Sequence, residues 1–190
     1  MAVLVIAGSG RGAGKTAVGC ALIAALPELS WMAVKVSPHE HDTGRGLWEE
    51  LDLHSEKDTG RYLAAGTRRA FLISGVEDSQ VAELLLEARG RSSQCDALLV
   101  ESNRVAAGVV VNLGEPAVSI AVLAGAEAEW KDSLWESAGM ADALVLANGV
   151  SQEELTSPFV RKPIFGLAAG QWSVPELVRF VRARLLPIKA

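Results

Sequence analysis

A continuous apolar run, Ala2-Val3-Leu4-Val5-Ile6-Ala7, leads directly into Gly8-Ser9-Gly10-Arg11-Gly12-Ala13-Gly14-Lys15-Thr16, and a helical stretch follows. No other segment constrains the fold as much. It predicts a buried strand, a glycine-rich turn and a helix in immediate succession, the context of the phosphate-binding pattern G-x-x-x-x-G-K-[ST]. Gly14, Lys15 and Thr16 fit that pattern; Ser9 stands where the first glycine is asked for, and Gly8 comes one residue early. A phosphate cradle needs backbone amides that converge on one concavity, which requires dihedrals that glycine adopts cheaply, and Gly8, Gly10 and Gly12 supply them. The helix N-terminus adds its partial positive charge. Lys15 is expected to reach the β and γ phosphates and Thr16 to place its hydroxyl on Mg²⁺. Gly10, Arg11, Gly12, Ala13, Gly14 and Ala17 complete the expected nucleotide contacts; Arg11, at the loop tip, either neutralises phosphate charge or faces water.

The alternation continues along the chain. Apolar runs at Trp31 to Val36, Ala70 to Ser74, Ala97 to Val100, Val109 to Leu113, Val118 to Ala124, Ala143 to Ala147 and Ile164 to Ala168 are unbroken, as in strands buried on both faces of a parallel sheet. Helices are predicted over Lys15 to Leu26, stopped by Pro27, and over Asp78 to Arg89, with Val81, Leu84, Leu85 and Ala88 on one face. Ser151-Gln152-Glu153-Glu154 and Ser173-Val174-Pro175-Glu176 both read as capping boxes, the second opening a helix with Leu177, Phe180, Val181 and Leu185 at helical spacing. The expectation is one α/β domain over residues 1–190, three-layered, with a mostly parallel, doubly wound sheet. Pro38 to Gly60, with seven acidic residues and three histidines, is expected to be a long functional or mobile loop.

Composition narrows the class. A chain of 190 residues with 49% hydrophobic residues has ample core for one domain. The net charge is −5 and no basic run stands out, which argues against nucleic acid. No apolar stretch reaches the ~18 residues of a membrane span, so no membrane partner is expected. Two distant cysteines, Cys20 and Cys95, and an N-terminus without a signal-peptide pattern point to a reduced, cytoplasmic setting.

Three further places carry chemistry. Ala97 to Val100 ends in Glu101, and a carboxylate at the C-terminal end of a parallel strand binds Mg²⁺ directly or through water, or orients an attacking water. Asp96, at the strand's start, should lie at the opposite edge. Lys35, at the end of the second strand, is a candidate for a phosphate or substrate role, its alternative being a snorkelling strand lysine. Next comes His39-Glu40-His41-Asp42, which is not a zinc spacing and reads as a solvated or substrate-contacting loop; Asp42 joins Thr16 and Glu101 as a candidate metal ligand. Asn148-Gly149 follows the apolar run at Ala143, so Asn148 is either a nucleotide-base contact or the turn residue that Asn-Gly often is. The Lys and Asp of a guanine-selecting N-K-x-D are missing there, which leaves GTP and ATP both open. The five tryptophans read as packing residues.

Gly8 to Thr16, Lys35 with His39-Glu40-His41-Asp42, Lys57-Asp58-Thr59, Ala65-Gly66-Thr67 and Val100-Glu101 together resemble molybdopterin-guanine dinucleotide biosynthesis protein B. The resemblance covers about the first 105 residues. The chain departs from it at Val36, where that family has His, and at Ser102, where it has Gly. It implies weak GTP binding, an accessory role beside a cofactor-biosynthesis enzyme of the molybdenum cofactor, slow hydrolysis with Lys15, Lys35 and Glu101 as the catalytic set, and a homodimer. The same fold group holds dethiobiotin synthetase, whose strand-end Val-Glu and adenine-contacting Asn resemble Val100-Glu101 and Asn148. That likeness implies an ATP-dependent ligase or kinase acting on a small carboxylated metabolite.

Overall fold

The computed structural model describes residues 1–103, 113, 115–125, 130, 132–148, 150–155 and 161–186. Strand β1 (Ala2–Gly8) is buried along its whole length, because it lies inside the sheet with a parallel neighbour on either side. Among the described residues the sheet has eight strands. They run in the order β3 (Gly46–Glu50), β4 (Arg69–Ser74), β2 (Trp31–Ser37), β5 (Ala97–Glu101), β1, β6 (Ala117–Leu123), β7 (Ala143–Leu146) and β8 (Ile164–Gly166). Every neighbouring pair is parallel except β3 with β4. The chain moves one way from β1 to β2 and the other way to β6, so a topological switch point opens beside the C-terminal end of β1, where doubly wound sheets take their ligands.

Successive strand side chains point to opposite faces, and each face recruits its own helices. Leu4 and Ile6 pack with Val18, Leu22 and Ile23 of α1 (Lys15–Ala25), with Tyr62 of α2 (Asp58–Ala64) and with Leu177, Val181 and Leu185 of the C-terminal helix (Pro175–Leu185). Val3 and Val5 pack on the other face with Val81, Leu85 and Ala88 of α3 (Asp78–Arg91). Beyond them, Leu134 and Ala138 of α4 (Asp132–Met140) cover Ala121, Leu123, Leu144 and Leu146. The C-terminal helix is α5. This is the three-layer α/β arrangement that the sequence predicts.

Several details differ from the sequence reading. The polar stretch Pro38 to Gly60 holds β3 and the start of α2. Strand β3 escapes notice because it is a half-exposed edge strand: Leu47 and Trp48 lie opposite Ile73 and Leu72, while the Glu49 carboxylate takes a two-pronged contact from Arg69 at 2.5 and 2.6 Å. Helix α5 starts at Pro175 with Val174 as its N-cap, so Ser173 does not cap it; proline's missing N–H costs nothing at that first position. The predicted box at Ser151 corresponds to a 3₁₀ turn, Gln152–Glu154. Helix α3 has a reciprocal capping box one residue earlier than its predicted start, between Glu77 and Gln80. The run Val109 to Leu113 lies outside the described residues except for Leu113, which is helical and packs into the second core. Among the described residues no helix is long and apolar enough to cross a membrane.

Candidate functional site

The loop between β1 and α1 turns on three residues. Gly8 ends the strand at a place with no room for a side chain: a Cβ there would stand 2.7 Å from Lys15 Cγ and 2.9 Å from the Val122 carbonyl oxygen. Ser9 then turns its side chain away from the loop. Its hydroxyl donates to the Ala124 carbonyl at 2.8 Å and accepts from the Ala124 N–H at 2.9 Å, and its own N–H bonds Val122. Ser9 thereby pairs two backbone groups where β6 ends, which accounts for serine at a position the pattern gives to glycine. Gly14 caps α1 with φ 95°, a left-handed conformation, and the Trp172 indole occupies the space a Cβ would need, 2.5 Å away. Lys15 lies back along the loop with its ammonium donating to the Gly10 carbonyl at 2.7 Å. Arg11 is exposed at the tip, Ala13 is buried, and Gly10 and Ala17 are half-buried along the same loop and first helical turn.

Glu101 sits beside this loop because parallel register puts it there. It is paired with Ile6 of β1 on one side and with Lys35 of β2 on the other. Its carboxylate is 3% exposed and takes three donors. The Thr16 hydroxyl and the Tyr62 hydroxyl each donate to Oε2 at 2.7 Å, and the Lys35 ammonium donates to Oε1 at 3.1 Å. Lys35 also donates to Asp58, the first residue of α2. Four elements thus meet around one buried anion, which is how a charge is kept out of water at tolerable cost.

The electrostatics follow from that packing. Burial alone would lower the Lys35 pKa, but the Glu101 charge and the bonds to Asp58 and Glu101 outweigh it and hold the ammonium above its ordinary value. Burial likewise pushes Asp58 up, and the Lys35 hydrogen bond and charge, with help from Thr16 and Arg61, bring it below the usual carboxylate range. Burial and then the Glu101 charge push the Tyr62 phenol far up. Cys20, one turn into α1 beyond Thr16, is pushed up to about 11, chiefly by burial. Oε2 accepts from two hydroxyls, so Glu101 fixes the orientation of the Thr16 and Tyr62 side chains.

Sequence-predicted residues fall into two groups. Lys15, Thr16, Lys35 and Glu101 are gathered at the C-terminal edge of adjacent strands. Asp42 is exposed in the turn closed by the His41–Gly44 bridge, while His41 Nε2 lies 2.9 Å from Ser37 Oγ. Among the described residues no hydrogen bond joins Asp42 to Thr16 or Glu101, and no group of three His, Cys, Asp or Glu side chains is placed to hold a metal ion. Asp58 is the acid that stands beside Lys35. Asn148 is exposed where β7 ends, with φ 53°, next to the exit of β8 where Leu167 N–H bonds Leu146. Asp96 lies at the far edge as expected, bonded to Ser30.

Sequence reasoning missed Tyr62, Asn103 and Trp172. Tyr62 had one available signal, as the chain's only tyrosine, four residues beyond Asp58 and so on the same side of a helix. Asn103, two residues beyond Glu101, bonds both backbone groups of Gly8.

No family model matches the chain, and a search of curated proteins finds no significant match. Solved structures do resemble it. The hydrogenase maturation factor HypB of Archaeoglobus fulgidus superposes with a TM-score of 0.62 at 21% identity, over 97% of this chain and 90% of that one. MobB of Bacillus subtilis gives 0.52 at 16% identity, over 98% of both chains. LpxK of Aquifex aeolicus, solved with ATP, gives 0.51 at 16% identity, over 87% of this chain and 53% of its own. The likeness to MobB, read in the first half of the sequence, therefore extends along the whole chain at the level of fold. Identities this low carry the fold and no more: the chain has the three-layer α/β fold seen in MobB and HypB.

Proposed function

We propose that the chain binds a nucleoside triphosphate, ATP or GTP, with Mg²⁺ at the loop from Gly8 to Thr16 and hydrolyses it slowly, as an accessory protein rather than a metabolic ligase. The observation that carries this reading is the 2.7 Å bond from Thr16 to Glu101, which joins the first helical turn after the glycine loop to the end of the neighbouring strand. A hydroxyl held by a carboxylate in that way has its lone pairs aimed outward, where a cation would sit. The donors fit magnesium, which prefers hard oxygen ligands and keeps several waters. Thr16 would hold the ion directly and Glu101 would hold it through Thr16 and water; when bound, the ion neutralises charge on the phosphates. Lys15 would exchange its Gly10 carbonyl for phosphate oxygens, since a charge-assisted bond to phosphate is the stronger of the two. Asn148 would contact the base, and Arg11 at the loop tip would screen phosphate charge.

The partners of Lys35 support the accessory reading over the ligase. A ligase acting on a carboxylated metabolite needs a cation free to meet the substrate. Lys35 is already bound by two carboxylates, Asp58 and Glu101, so it serves the fold of the site. The accessory reading brings with it a homodimer and a partner enzyme from cofactor biosynthesis; sedimentation tests the first.

The test is a comparison of ATP, GTP, CTP and their diphosphates, each with Mg²⁺, by thermal shift. A ligand at a hundredfold excess over its Kd stabilises by about 2.7 kcal/mol, a shift of several degrees. Lys15→Ala should remove it. Unchanged affinity in Lys15→Ala would sink the assignment, and strong stimulation of turnover by a small carboxylate would favour the ligase.

A further inference from the structure

The ladder between β5 and β1 stops at the pair Ile6 and Glu101, followed by one bond from Ser102 N–H to the Ile6 carbonyl at 3.0 Å. Strand β5 therefore ends short of Gly8, the last residue of β1. Asn103 continues the ladder with its side chain. The Gly8 N–H donates to Asn103 Oδ1 at 2.8 Å, and Asn103 Nδ2 donates to the Gly8 carbonyl at 2.7 Å. A carboxamide carries the same donor and acceptor as a peptide, so it can replace one, and the two backbone partners fix which end of the amide is oxygen. On its other side Gly8 is paired with Val122 of β6, and a Cβ on it would run into the stem of Lys15. The Gly8 peptide is thus gripped from both sides at the point where the chain leaves the sheet.

We propose that Asn103 is a positioning residue for the phosphate site, holding the Gly8 peptide in the orientation from which the loop amides and the Lys15 stem are aimed. The residue that clamps the loop stands two positions after the carboxylate that holds Thr16. One strand end therefore fixes both halves of the site in a common frame, and a loop ordered in advance loses less freedom when it closes on phosphate. This rests on the nucleotide reading above, so the test separates the two.

Asn103→Ala and Asn103→Asp are made in the full chain. The first measurement is hydrogen exchange of the Gly8 amide without nucleotide. Asn103→Ala should exchange at least about tenfold faster, since the amide loses its acceptor. An unchanged rate overturns the proposal whether or not nucleotide binds. The second is titration with Mg²⁺ and ATP, GTP or inorganic tripolyphosphate. Asn103→Ala should bind about fivefold to tenfold more weakly, with a nucleotide-free melting point lowered by no more than a few degrees for the two part-buried bonds it loses. Asn103→Asp should bind at least as weakly, because its carboxylate keeps the acceptor for Gly8 N–H but sets a negative charge against the Gly8 carbonyl. Wild-type affinity in either variant refutes the positioning role. Should Asn103→Ala fail to fold, Asn103→Asp carries the test. A wild-type chain that binds none of the three probes sinks the nucleotide reading and the phosphate role together, and the exchange rate then judges the clamp alone.

Discussion

Tyr62→Phe removes a single oxygen from the middle of the site and is the sharpest probe of its electrostatics. The Tyr62 side chain is fully buried, and its ring lies over Gly19 of α1, where a Cβ would come within 3.0 Å of Cε1. Phenylalanine keeps that ring and its packing, so no cavity opens. What is lost is the 2.7 Å bond from the hydroxyl to Glu101 Oε2. A hydrogen bond to a charged group contributes roughly 1.5–3 kcal/mol, and Glu101 retains Thr16 and Lys35, so the expected loss is about 2 kcal/mol. For a chain of this size that lowers the melting point by about 4–8 °C. Urea unfolding followed by circular dichroism measures it, with an unchanged slope showing that compactness is preserved. A double-mutant cycle supplies the control. In a Glu101→Gln background the acceptor is neutral, and the same substitution should cost only about 1 kcal/mol. If Tyr62→Phe lies within about 0.3 kcal/mol of wild type, or costs the same in both backgrounds, the hydroxyl is not holding a charged carboxylate and the account of the site fails.

Gly14→Ala should both destabilise the chain and weaken nucleotide binding, because it forces a methyl into a left-handed position against the Trp172 ring; a strain of roughly 1–2 kcal/mol plus displacement of the indole should show in the melting point and the near-ultraviolet spectrum. The pH dependence follows from the Lys35–Asp58 pair. Asp58 is held below its ordinary pKa, so its stabilisation is present above about pH 4 and is lost as pH falls through its lower folded-state value; Lys35 is held above its own, so its contribution is present below about pH 10 and is lost as pH rises past the folded-state value. Asp58→Asn should therefore flatten the acid limb of a stability–pH profile, and an unaltered limb would contradict the pairing. The Cys20 thiol, pushed up to about 11 by burial, should be alkylated by iodoacetamide at pH 8 on the order of a hundredfold more slowly than after unfolding, read by mass spectrometry.

Periodicity and glycine placement made most of the fold legible. Runs buried on both faces announce parallel strands, and Gly14-Lys15-Thr16 between such a run and a helix locates the glycine-rich loop. The edge strand β3 was invisible for the opposite reason. Its side chains face solvent and salt bridges as much as core, so its composition is that of a loop. Within the site, Lys15, Thr16, Lys35 and Glu101 could be read because each lies at or near the end of an element at the same edge of the sheet. Asn103 and Trp172 could not, because neither stands in a recognisable pattern and their places depend on tertiary approach, while Tyr62 offered only its position four residues after Asp58. Asp42 is exposed in the turn that follows Ser37, and its place as a metal ligand remains a proposal.

The same geometry explains why Glu101 should be tested as glutamine and not as alanine. Alanine would take away the carboxylate that accepts from the buried Thr16 and Tyr62 hydroxyls and leave Lys35 with Asp58 alone. Stranded buried donors cost about 1–3 kcal/mol each, so lost turnover in that variant would report collapse of the site rather than its chemistry. Glutamine keeps an oxygen of the same reach and can still accept from one or both hydroxyls, while the charge is removed. If Glu101 acts by orienting Thr16 around a cation, Glu101→Gln should retain much of the nucleotide affinity, weaken its dependence on Mg²⁺ concentration and lose hydrolysis. If instead Glu101 only anchors α2 through Tyr62, hydrolysis and the magnesium dependence should both stay at wild-type values while the melting point falls. The two outcomes differ in turnover and in magnesium dependence, and a single variant separates them.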